Sequence, residues 1–87
     1  MIKMNVRHTV ADFNKWKVVF DEVEPLRKQS GSTGVHVFRN YANPNDVFVI
    51  TDWNNKEQAN KFGQSPELKK AMERGGVIGA PEMSFAE

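Results

Sequence analysis

His8 is the residue of this sequence best suited to chemistry near neutral pH. An imidazole titrates there and can pass a proton to or from a reacting group. His8 ends the run Ile2–Met4–Val6 and, by alternation, shares its face. If that face meets the helices, His8 lies at a pocket mouth near Trp16. If it does not, His8 is a polar residue closing a strand and bonded to backbone. Arg39 follows Phe38 and has two comparable readings. Its guanidinium can hold a carboxylate or phenolate in a cavity, or it can pair with Asp46 or Asp52 at a sheet edge. His36 falls on the opposite strand face from Arg39.

Other chemistries lack their residues. There is no cysteine, hence no thiolate nucleophile and no disulfide. With two histidines and no H-x-x-x-H or H-x-x-E spacing, no metal site is predicted. No G-x-G-x-x-G or Walker loop cradles a phosphate, and the glycines of "GGVIGAPE" follow a helix instead of opening one. No serine sits in a nucleophile elbow.

The elements that must position these residues follow from periodicity. Ile2, Met4 and Val6 alternate with Lys3, Asn5 and Arg7, a strand with one polar face. Asp12 sits where an N-cap belongs. Phe13, Trp16, Phe20 and Val23 then recur at helical spacing, with a kink or loosened last turn expected at Pro25. "SGSTG" stops the helix. "VHVFRNY" (35–41) and "VFVITDW" (47–53) read as strands joined through the turn "ANPND". Asn54 with Glu57 has the form of a capping box opening a second helix. Gly63 weakens that helix, and Ser65-Pro66-Glu67 restarts it. Gly75-Gly76 ends it. Pro81, Met83 and Phe85 alternate in a last strand.

The order β-α-β-β-α-β is that of a ferredoxin-like α+β sandwich: an antiparallel four-stranded sheet with two helices on one face, a single domain over residues 1–87. The first and third strands are expected in the middle. In the third strand, Val47 and Val49 face one side, Phe48 and Ile50 the other. Both faces are apolar, and two helices cover only one. A chain of 87 residues has nothing left for the other face, so a second copy is the expected cover. A net charge of +1 with interspersed signs excludes a steering field for nucleic acid. "VFVITDW" also lacks the basic and aromatic signature of an RNA-binding sheet. No apolar run reaches the roughly 18 residues of a membrane span, and the N-terminus lacks signal-peptide regions. A cytoplasmic domain is expected.

The stretches "VRHTVADFNKWKVVFDE", "VFRNYANPNDVFVITDW" and "FGQSPELKKAMERGGVIGAPE" resemble the small dimeric α+β barrel proteins grouped with the antibiotic biosynthesis monooxygenases. The resemblance covers almost the whole chain, and the sequence is most similar to the members with no known reaction. It implies two ferredoxin-like sheets packed face to face, helices outside, and a pocket between sheet and helices for a small aromatic substrate. It implies a cofactor-independent oxygenation, with no cofactor and no metal. Trp16, Phe20, Trp53 and Asn54 are then the candidate pocket residues. His8 would be the base, and Arg39 or Asn54 the group stabilising the anion. The alternative function is a non-catalytic module that binds a ligand or only dimerises.

Overall fold

The computed structural model describes residues 1–87. Its elements run β1 (Ile2–Val10), α1 (Phe13–Glu22), α2 (Glu24–Ser30), β2 (Ser32–Arg39), β3 (Asp46–Trp53), α3 (Lys56–Gly63), α4 (Pro66–Arg74) and β4 (Val77–Ala86). The sheet order is β2-β3-β1-β4, antiparallel throughout. The expected ferredoxin-like fold is present, with the first and third strands central. Each expected helix, however, is two short ones.

The first break has a local cause. Proline offers no N–H and crowds the carbonyl four residues back, so α1 stops at Glu22 and Pro25 falls in the first turn of α2, where it is tolerated. Val23 serves as both the C-cap of α1 and the N-cap of α2. α2 ends on Gly31 at φ +109°, a backbone that side-chain-bearing residues rarely adopt. The second break follows Gly63. Ser65 caps α4 by accepting from Leu68 N–H at 3.2 Å, and Pro66 starts the helix.

One expected cap is displaced. Asn55, not Asn54, caps α3: it is extended and its side chain accepts from Gln58 N–H at 2.9 Å. Trp53 is fixed by burial at the strand end, and the chain uses one further residue before turning into the helix. The strand bounds also differ from those predicted. β1 continues past His8 to Val10, β2 begins earlier at Ser32 and stops at Arg39, short of Asn40 and Tyr41, and β4 begins at Val77.

The helices pack on one sheet face, where Met4, Val6, Val10, Val47, Val49 and Trp53 meet Trp16, Val23, Ala59, Phe62 and Ala71. Trp53 is wholly buried. Its indole N–H donates to Thr51 Oγ1 at 2.7 Å, and its ring lies 5.3 Å from that of Phe62. The opposite face is more mixed than the third strand suggested. Phe48 and Ile50 are only half-buried there and Phe38 is exposed. β1 sends Lys3, Asn5 and Arg7 to the same side, in register with Asp52, Ile50 and Phe48. Lys3 pairs with Asp52 at 2.6 Å, and the Arg7 guanidinium lies 5.2 Å from the Phe48 ring centre.

Thr51→Val preserves shape but leaves a buried indole N–H without an acceptor. It is expected to destabilise the chain by about 1–3 kcal/mol, read as a lowered midpoint of urea denaturation with unchanged slope.

Candidate functional site

The face that forms the core also carries a cavity. Met4, Val6, His8, Val49 and Thr51 form its floor. Trp16, Val19 and Phe20 of α1, Arg27 of α2, and Leu68 and Met72 of α4 complete it. Val19, Phe20, Leu68 and Met72 are partly exposed, so the mouth opens between α1 and α4. Arg74 of α4 reaches across to Glu22 of α1 at 3.0 Å. The cavity measures about 60 Å³, room for several waters, each needing roughly 10–15 Å³. A ring enters only if a lip side chain such as the unbranched Met72 gives way.

His8 is 6% exposed and neither ring nitrogen has a hydrogen-bond partner. Buried polar atoms are nearly always paired, so this imidazole is an exception. It is not bonded to backbone. β1 places it on the helix-facing side opposite Val47, and its ring meets Trp16 edge-on at 5.4 Å. On the other flank the β1–β4 register skips: Arg7 pairs with Glu82 and Thr9 with Ile78, and Gly79, Ala80 and Pro81 bulge past His8. A second, polar cleft lies at this bulge, bordered by residues including His8, Asn43 and Asp46. Burial lowers the His8 pKa below its ordinary 6.5, with the Asp46 charge opposing the shift. Burial thus favours the neutral ring, a form able to accept a proton. Asp46 itself is held below the usual carboxylate range by hydrogen bonds from Arg7 and Asn40.

An aromatic line runs from His8 along α1. Trp16 and Phe20 stack at 4.8 Å and 28°, and the Arg27 guanidinium lies 3.9 Å above Phe20. Trp16 fits because α4 ends on Gly75; a Cβ there would stand 3.1 Å from the indole. Arg27 is 5% exposed, donates to the Phe20 carbonyl at 2.9 Å and forms no ion pair.

The cavity therefore brings together His8, Trp16 and Phe20. It does not include Arg39, Trp53 or Asn54. Arg39 lies 4.1 Å over the Phe13 ring and donates to the Pro44 carbonyl. It pairs with neither Asp46, which Arg7 takes, nor Asp52, which Lys3 takes. Trp53 is core behind Phe62, and Asn54 is exposed beside the cap. Arg27 was missed, yet the sequence carries its signal. Trp16, Phe20, Val23 and Arg27 continue a single i, i+4, i+7, i+11 stripe, so the charge sits on the buried side. No group of three or more His, Asp or Glu side chains is placed to hold a metal. No helix is long and apolar enough to cross a membrane.

The profile of a family described as antibiotic biosynthesis monooxygenase matches residues 5–74. A solved Bordetella bronchiseptica protein assigned to such monooxygenases aligns with a TM-score of 0.82 at 16% identity, over 99% of this chain and 94% of that one. SnoaB of Streptomyces nogalater, a cofactor-independent oxygenase, aligns with a TM-score of 0.80 at 13% identity, over 99% and 90%. A Caulobacter crescentus protein with the same assignment as the first gives 0.77 at 16%, over 98% and 86%. Identities this low carry the fold and not the chemistry. Among the curated proteins compared, none matches this sequence.

The lowered His8 pKa has a stability consequence with a definite sign. An unfolded histidine takes up its proton near 6.5, while the buried one does so at lower pH. Between the two values the unfolded state binds more protons, so stability falls as pH drops through that window. Asp46, with a depressed folded pKa, loses its contribution only at lower pH, as its carboxylate protonates. Urea midpoints measured from about pH 7.5 to about pH 5 are expected to fall for the wild type. For His8→Leu the fall over the same range is expected to be smaller.

Proposed function

The chain belongs to the antibiotic biosynthesis monooxygenase family, and on that premise we propose that it oxygenates a small aromatic molecule with His8 as the proton acceptor. The observation that carries this reading is the buried imidazole whose two nitrogens are free, on the wall of an aromatic-lined cavity. A neutral, unpartnered base beside an apolar surface is poised to take a proton from a weakly acidic O–H or C–H.

The electron balance requires only dioxygen. An activated ring methylene gives its proton to His8, and the resulting anion passes one electron to O₂. Recombination of the radical pair forms a C–O bond, and His8 returns the proton to the peroxide. Loss of the remaining C–H proton with cleavage of the O–O bond leaves a carbonyl and water. One oxygen atom enters the product and the other leaves as water. Trp16 and Phe20 line the cavity and present aromatic edges that a substrate ring can pack against. Arg39 and Asn54 lie away from this cavity, so the reading does not use them.

We also propose that the chain works as a homodimer through its open sheet face, in the cytoplasm. Phe38 and Ile78 are 54% and 58% exposed there, beside half-buried Phe48 and Ile50. Arg7 and Lys3 on the same face have acidic neighbours that would keep them paired as water is excluded.

Oxygen uptake with single-ring quinol and resorcinol substrates, whose keto tautomers carry the ring methylene, tests the first proposal. His8→Ala is expected to lower kcat/KM by roughly 10²-fold or more, and turnover equal to wild type would remove His8 from the mechanism. Sedimentation at micromolar concentration tests the second. A species of twice the 9.9 kDa chain mass is expected, and a clean monomer would overturn it.

A further inference from the structure

Arg27 is the one buried cation of this chain, and it borders the cavity. Of the other arginines, Arg7 pairs with Asp46 and Arg74 with Glu22, while Arg39 is exposed. Arg27 has no carboxylate within ion-pair distance. The acidic side chains nearest in charge are Glu24 and Asp21, and each is held by a lysine, Lys28 at 3.2 Å and Lys17 at 2.6 Å. The guanidinium makes one side-chain hydrogen bond, to the Phe20 carbonyl. That carbonyl, at the end of α1, also accepts from Val23 N–H at 3.2 Å, so the bond is a second tie at the helix end. It leaves the other donors of the fork without an acceptor in the chain.

A guanidinium stays charged even when burial lowers its pKa, and an uncompensated charge in an apolar setting is costly. An anion reaching the cavity would relieve that cost. His8, which burial keeps towards its neutral form, does not compete for the anion. The fixed positive charge of the cavity is therefore at the Arg27 end of the Trp16–Phe20 line, and the proton acceptor is at the other.

From this geometry we propose that the cavity selects a small aromatic anion, a carboxylate or phenolate on a single ring, with its charge on Arg27 and its ring along Phe20 and Trp16. The proposal rests on the reading of this cavity as the ligand site and adds the class of ligand. A single ring is chosen because the space between sheet and helices is small, about 60 Å³. Arg27 acts here as a binding residue that orients the ligand, leaving the reacting end towards His8.

Benzoate and benzamide have nearly the same shape and differ in charge, so titrating each into the wild-type chain separates the claims. Binding is followed by the Arg27 side-chain N–H and Trp16 indole resonances. Benzoate is expected to bind about 10-fold or more tightly than benzamide. In Arg27→Met the preference is expected to fall to near unity with benzamide affinity retained, and Arg27→Lys is expected to restore part of it. Equal binding of both probes to wild type overturns the selectivity for anions and leaves an aromatic pocket standing. Binding of neither probe overturns both readings. A benzoate preference that persists in Arg27→Met, or that shifts resonances away from Arg27, assigns the anion elsewhere and overturns this proposal. Should Arg27→Met fail to fold, the wild-type pair of probes and Arg27→Lys still decide it.

Discussion

A chain of 87 residues builds one sheet and one layer of helices, so a single apolar interface must act as both core and pocket. Met4, Val6, Trp16, Val23, Val49, Phe62 and Ala71 belong to the hydrophobic core and also line the cavity. A small domain buries only about 60–65% of its unfolded surface, and space left open in that interface is packing forgone. Two titratable side chains, His8 and Arg27, are buried in the same interface. Each is costly to desolvate, and neither is fully paired. Sites that carry function often give up stability in this way.

The placement of Arg27 depends on the break at Val23. Pro25 stops α1 at Glu22, and near that end the Phe20 carbonyl accepts from Val23 N–H at 3.2 Å. Arg27, one turn into the next segment, adds a second donor to the same carbonyl and lies across the Phe20 ring. A stack then runs from Arg27 through Phe20 and Trp16 to the edge of His8. The contacts are individually modest, each worth roughly 0.5–1.5 kcal/mol for aromatic pairs. Their geometric effect is larger, because each ring fixes the orientation of the next. Gly75 permits the arrangement by letting α4 end against the indole.

The uncovered face of the sheet follows different rules. Its apolar residues come from β2, β3 and β4, while β1 adds Lys3 and Arg7, each neutralised by an aspartate on β3. Pairing within the chain means that covering this face need not strand a charge. It also explains why Phe48, half-buried under the Arg7 guanidinium, is less open than its position on the bare side implies.

The sequence by itself determined the topology, the central placement of β1 and β3, and the strand face that His8 shares with Ile2, Met4 and Val6. These are consequences of period-two and period-3.6 patterns, turn residues and caps, which act over a few positions. It also signalled both helix breaks through Pro25 and Ser65-Pro66. Tertiary structure alone decided which of the suggestive side chains share a space. Trp53 and Asn54 are neighbours in the chain, but one is core and the other is exposed. Arg39 is on the helix-facing side of an outer strand and comes to rest on Phe13. Arg27 was legible as a charge on an apolar stripe, but its lack of a carboxylate partner was not. Whether a buried charge or imidazole is paired depends on segments far apart in sequence, and no local pattern encodes their distances.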